Sequence, residues 1–168
     1  MDRLKGFAEY ARARQRHLRR SAFLLCGDWH LAEDLTQMVL VNLCRSWDRA
    51  QQAASLDAYA HTVLVNTFLR HKRKYQRQVE RAVAYASGRP ETSPDVPSDL
   101  RLSLHAALQL LPPRARAVVV LRFWEDLSVE ATADALGCSV GNVKSQTSRA
   151  LARLREIVGD SLIDRNLW

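Results

Sequence analysis

The amino-acid sequence predicts an all-α protein of two small helical domains joined by a flexible linker. Three observations carry that prediction. Apolar residues recur at helical steps through every long segment, no stretch alternates with the period of two that a strand needs, and a proline-rich stretch divides the chain. Its 168 residues, 47% of them hydrophobic, are enough for one domain or two small ones with packed cores.

The first helix is marked by Leu4, Phe7, Ala8, Ala11, Leu18, Ala22 and Leu25, and Gly27 ends it. Asp28 is placed to cap a second helix, whose stripe of Leu31, Leu35, Met38, Val39, Asn42, Leu43 and Trp47 extends it to about residue 47 as an antiparallel partner of the first. Residues 48–54 are polar and read as a connection. Ser55 or Asp57 then caps a third helix with Leu56, Tyr59, Ala60, Val63, Leu64 and Thr67 inward, ending in the basic run Arg70-His71-Lys72-Arg73-Lys74. Periodicity fades after about Ala86, where Pro90, Pro94 and Pro97 stand among serines and a glycine, the composition of a flexible linker. Helix resumes near Asp99, breaks at Pro112-Pro113 and restarts through Ala115, Val118, Val119 and Leu121 to Trp124.

Residues 111–158 contain the most informative unit. Ser128 supplies an N-cap oxygen ahead of Val129-Glu130-Ala131, and Gly137 can take the left-handed conformation that closes the helix about two turns later. Ser139 caps the next helix, along which Val143, Ala150, Leu151, Leu154, Ile157 and Val158 form one apolar stripe. Its other face presents Asn142, Lys144, Ser145, Gln146, Ser148, Arg149 and Arg153, side chains able to donate to phosphates or base edges. The unit reads as a helix-turn-helix, with an ordinary solvated face as the competing interpretation.

Charge points the same way. The formal net charge is +7, and lysine plus arginine minus aspartate plus glutamate comes to 13 − 7 = +6 for residues 1–76, 3 − 4 = −1 for 77–100 and 9 − 7 = +2 for 101–168. The more basic half is therefore the one without the helix-turn-helix, so an anionic partner is expected at two places. No apolar run reaches the roughly 18 residues of a membrane span, and the polar start does not resemble a signal peptide, so no membrane insertion and a cytoplasmic location are expected. Cys26, Cys44 and Cys138 are scattered, and the histidines lack ligand-spaced partners, so neither a disulfide framework nor a metal or cofactor is expected. His30, His61 and His71 read as surface or boundary residues. With no nucleophile motif or glycine-rich phosphate loop, an enzyme is not expected either.

The order of basic helical half, proline-rich linker and LPPRARAVVVLRFWEDLSVEATADALGCSVGNVKSQTSRALARLR resembles the extracytoplasmic-function type of bacterial RNA polymerase sigma factor, with the actinobacterial SigE-like subfamily as the candidate branch. The resemblance implies a sigma2-like domain over 1–76, a linker over 77–100, a sigma4-like domain over 101–160 and a tail over 161–168. It implies a promoter-specificity subunit whose partners are core RNA polymerase, through the β′ clamp helices and β flap, promoter DNA and an anti-sigma factor. The family pattern D-x-x-Q-x-x-F, which docks on the clamp helices, corresponds here to Asp34, Gln37 and Leu40, with Leu40 in place of the aromatic and Met38 where an acidic residue is usual.

The third helix resembles the segment that captures the -10 element as unpaired strand, a task that needs cations along a backbone and a group to read an extruded base. Asn66 matches the family's asparagine, and Arg70, Lys72, Arg73 and Lys74 are placed to follow phosphates, although the family commonly has an acidic residue where Arg70 stands. The last helix resembles the reader of the -35 element, with Asn142, Lys144, Ser145, Gln146 and Arg149 as contacts and Arg114 and Arg122 as phosphate holders. Many relatives have arginine at the position of Gln146, which shifts the expected preference from guanine toward adenine. Two other readings are a stand-alone helix-turn-helix regulator with a sensing or dimerising N-terminal half, and an interaction-only module with solvated basic faces. The first predicts tight duplex binding without polymerase, the second no salt-dependent DNA binding.

Overall fold

The computed structural model describes residues 2–85 and 104–159. Among them the chain is helical, with helices α1 (Asp2–Cys26), α2 (Trp29–Arg45), α3 (Trp47–Gln52) and α4 (Leu56–Tyr85) in the first half. The second half contains α5 (Leu104–Gln109), α6 (Pro113–Val119), a π-helical turn (Val120–Trp124), α7 (Val129–Leu136) and α8 (Val140–Val158). No helix among the described residues is long and apolar enough to cross a membrane.

The caps expected from local chemistry are present. Asp28 accepts from the backbone N–H groups of His30 and Leu31 at 2.7 and 3.1 Å, Ser128 from Ala131 at 3.0 Å and Ser139 from Asn142 at 3.1 Å. Gly137 sits at φ 62°, as a left-handed helix end requires. Gly27 is needed for two reasons. Its φ is +74°, and a Cβ there would lie 2.8 Å from the side chain of Gln109 in the other half.

Two boundaries differ from expectation. Residues 48–54 are not a plain connection: Trp47 and Ala50 are buried, and α3 forms around them, with Trp47 packed edge-on against Phe7 at 5.5 Å. The third helix does not end in its basic run but continues as α4 through Tyr85, because no glycine or proline interrupts residues 75–85 and Gln76 bonds Glu80 one turn on at 3.4 Å. The first part of the expected 77–100 linker is thus helix. Its remainder, the helix start near Asp99 and the 161–168 tail lie outside the described residues.

The halves are packed together. One buried cluster runs from Leu18, Leu25, Leu35 and Phe68 of the first half into Val118, Leu121, Ala133 and Leu136 of the second. A second cluster, including Leu108, Leu111, Val119, Ala150 and Leu154, ties α5 and α6 to α8. The helix-turn-helix is therefore seated on the first half by its first helix, α7, and the polar face of α8 is left outward.

Candidate nucleic-acid interface

The outward face of α8 is what its apolar stripe predicts. Val143, Ala150 and Leu154 are buried, whereas Asn142, Lys144, Ser145 and Arg149 are exposed and Gln146 is half-exposed. The side-chain amide of Gln146 donates to the side-chain oxygen Oδ1 of Asn142 at 2.5 Å, so these two present their edges as a coupled pair. Arg153 is paired with Glu156 at 3.0 Å one turn later.

Arg114 and Arg122, expected at phosphates, are turned to internal work. Both are half-buried: Arg114 donates to the Leu136 carbonyl at 2.9 Å, serving the end of α7, and Arg122 to the Leu127 carbonyl at 2.5 Å. Carbonyls exposed by the helix end and the turn need donors, and these guanidinium groups supply them.

In the first half, α2 and α4 enclose an open groove of about 950 Å³ lined by six cationic side chains and no carboxylate. Arg70, Arg73 and Lys74 stand on its α4 wall, and Arg45 and Gln37 on its α2 wall. Lys72 does not join them: it is partly buried, and its ammonium pKa is pushed down by that burial and by Arg116. Asn66 lies one turn before Arg70 on the same stripe of α4. Its amide nitrogen, however, donates to the Ala135 carbonyl of α7 at 3.3 Å.

Leu40 is corrected by the fold. It is 8% exposed and belongs to the core, because the helical stripe that buries Leu35, Thr36, Val39 and Leu43 takes it inward as well. Thr36 is accommodated there because its hydroxyl donates to the Ala32 carbonyl at 2.7 Å. The outward face of α2 instead carries Asp34 and Gln37 with Met38 and Val41, the last two 47% and 48% exposed. Met38, expected inward, is thus an exposed apolar residue beside the two polar ones.

Two features were not found from the sequence. Arg116 is 4% exposed, and its guanidinium donates to the carbonyls of Leu108, Gln109 and Leu111 at 2.8, 3.0 and 2.9 Å, to the Gln109 side chain and to the Leu25 carbonyl at the end of α1. Burial lowers its pKa to about 10, which leaves it charged at neutral pH. Gln109 adds a bond to the Leu24 carbonyl at 2.9 Å, so donors from the second half serve the last turn of α1. His61, expected near the surface, is 4% exposed and meets Glu125 of the second half at 3.0 Å. A partner 64 positions away (125 − 61) leaves no spacing signal in the sequence.

Comparison with known proteins agrees with this geometry. Residues 10–78 match the model of Sigma-70 region 2, and residues 101–154 that of Sigma-70, region 4. The RNA polymerase sigma-E factor of Streptomyces coelicolor is 40% identical over 93% of this chain and 88% of its own. The chain belongs to the RNA polymerase sigma factor family. Its relatives include proteins of the extracytoplasmic-function type, among them the sigma factor EcfG of Rhodopseudomonas palustris, 32% identical over 84% of this chain and 78% of its own. The sigma factor RpoE of Bartonella quintana, solved with the anti-sigma factor NepR, superposes with a TM-score of 0.75 at 29% identity, covering 93% of this chain and 98% of that one. As a sigma factor, the protein acts with core RNA polymerase and promoter DNA in transcription initiation.

Proposed function

We propose that this sigma factor grips a promoter with two separate surfaces, each supplied by one half. The outward face of α8 reads -35 duplex through Asn142, Lys144, Ser145, Gln146 and Arg149, while the groove between α2 and α4 takes the backbone of the unpaired -10 strand along Arg70, Arg73 and Lys74. Asn66 reads an extruded base once α7 has moved off it. The exposed α2 face of Asp34, Gln37, Met38 and Val41 docks on the polymerase β′ clamp helices, and the β flap receives the second half. The chemistry of RNA synthesis belongs to polymerase, and the site of action is the cytoplasm where polymerase works.

The observation that carries this reading is the groove with six cations and no carboxylate, one helical turn from an amide able to read a base edge. In vitro transcription with purified core polymerase and a promoter library tests it. Initiation at a subset of promoters is expected, with Arg73→Ala/Lys74→Ala impairing strand opening while -35 contact persists. Absence of both core binding and initiation sinks the proposal.

A further inference from the structure

His17 of α1, His61 of α4 and Glu125, just beyond the π-helical turn, converge where the two halves meet. The Nε2 atoms of both rings point at the same carboxylate oxygen, Glu125 Oε2, from 2.8 and 3.0 Å. One candidate ligand atom from each residue lies within 4.8 Å of the others. The side chains of Glu125 and His61 are 3% and 6% exposed, while His17 is 33% exposed and leaves the cluster a way in.

We propose that these three residues form a binding site for a divalent cation of the zinc class, and that the bound cation holds the two halves closed. Two imidazole nitrogens and one carboxylate are a borderline donor set that suits zinc, and the set lacks the many oxygens that calcium or magnesium requires. Zinc bonds of about 2.0–2.2 Å put tetrahedral ligands roughly 3.4 Å apart, so both rings must draw back from the carboxylate oxygen, now at 2.8 and 3.0 Å, as their Nε2 atoms settle at the same spacing from each other. The carboxylate is already oriented: Ser21 bonds its other oxygen, Oε1, and the Trp124 indole donates to the Ser21 hydroxyl at 3.0 Å. Trp124 also stacks on His17, with the ring planes 8° apart. Such supporting contacts fix ligand orientation in metal sites.

The ligands are divided between the halves. His17 and His61 come from the first and Glu125 from the second, so separation removes the carboxylate from the coordination sphere. A cation that binds only the closed form stabilises it by mass action. That closure withholds Asn66 from DNA rests on the proposal that Asn66 must leave α7, whereas the site itself does not.

The test uses the full chain stripped of metal, titrated with zinc chloride by calorimetry and with cobalt chloride by visible absorption. One equivalent is expected, unaffected by replacing all three cysteines with serine and at least about tenfold weaker in His17→Gln and Glu125→Gln. His17 is partly exposed, so His17→Gln is the variant that decides if His61→Gln fails to fold. Zinc should also protect the backbone amides of α7 from hydrogen exchange in the wild-type chain and leave His17→Gln unchanged. No stoichiometric uptake, or equal affinity in His17→Gln, overturns the site. Uptake without protection overturns its closing role. Neither readout involves polymerase or DNA, so failure here is distinguishable from failure of the promoter-binding proposal.

Discussion

The side-chain amide of Asn66 donates to the backbone carbonyl of Ala135 at 3.3 Å, which joins the base-reading candidate of one half to the first helix of the other half's helix-turn-helix. In this arrangement the amide is committed to a protein acceptor. Single-stranded -10 DNA should therefore bind the free chain weakly. Ala135 is 4% exposed, so Ala135→Gln should wedge α7 from α4 and raise affinity for a -10 oligonucleotide several-fold in fluorescence anisotropy. Adding Asn66→Ala should cancel that gain; an increase that survives it would remove Asn66 from base reading.

Leu40 and Met38 should behave oppositely. Leu40 is core, so Leu40→Ala should lower unfolding free energy by about 2–4 kcal/mol in urea titrations. Met38→Ala, at an exposed position, should leave stability within about 0.5 kcal/mol and weaken pull-down of core polymerase. Unaltered core binding in both Met38→Ala and Gln37→Ala would remove this face from docking.

Arg116 should tolerate neither loss nor conservative exchange. Lysine keeps the charge but cannot reproduce a planar fork serving acceptors on several sides, so Arg116→Lys should cost about 2–4 kcal/mol of stability. Chemical denaturation measures this, and a cost under about 1 kcal/mol would mean that water replaces the missing donors.

Gln146→Arg should alter the preferred base at one -35 position without broadening the others, a change worth about 1–3 kcal/mol in a randomised duplex selection. Because Gln146 is bonded to Asn142, Asn142→Ala should also shift preference at that position. Lys144→Ala, by contrast, should weaken all duplexes alike and reduce the salt slope by about one.

The parts of the fold that rest on neighbours in sequence were readable there. Ser128, Gly137 and Ser139 bracket the helix-turn-helix by capping chemistry that needs nothing beyond three or four residues, and the stripe of Val143, Ala150 and Leu154 follows from helical periodicity. Position within a stripe was less secure, since Met38 and Leu40 differ by two residues and lie on opposite sides of the boundary between core and surface. Contacts across the halves were not readable at all. Nothing local to Arg116 indicates that its acceptors lie on α1 and α5, and nothing near His17 announces Glu125, 108 positions on.

The last turn of α1 depends on Gln109 and Arg116 for partners to Leu24 and Leu25. Parting the halves leaves those carbonyls to water, and the free energy of parting becomes a threshold on access to Asn66. On the proposal that Asn66 must leave α7, apparent affinity for the unpaired -10 strand is the intrinsic affinity multiplied by the open fraction, so each 1.4 kcal/mol or so of closure reduces it about tenfold. On the same proposal, closure sets how often a free chain presents Asn66 to the strand.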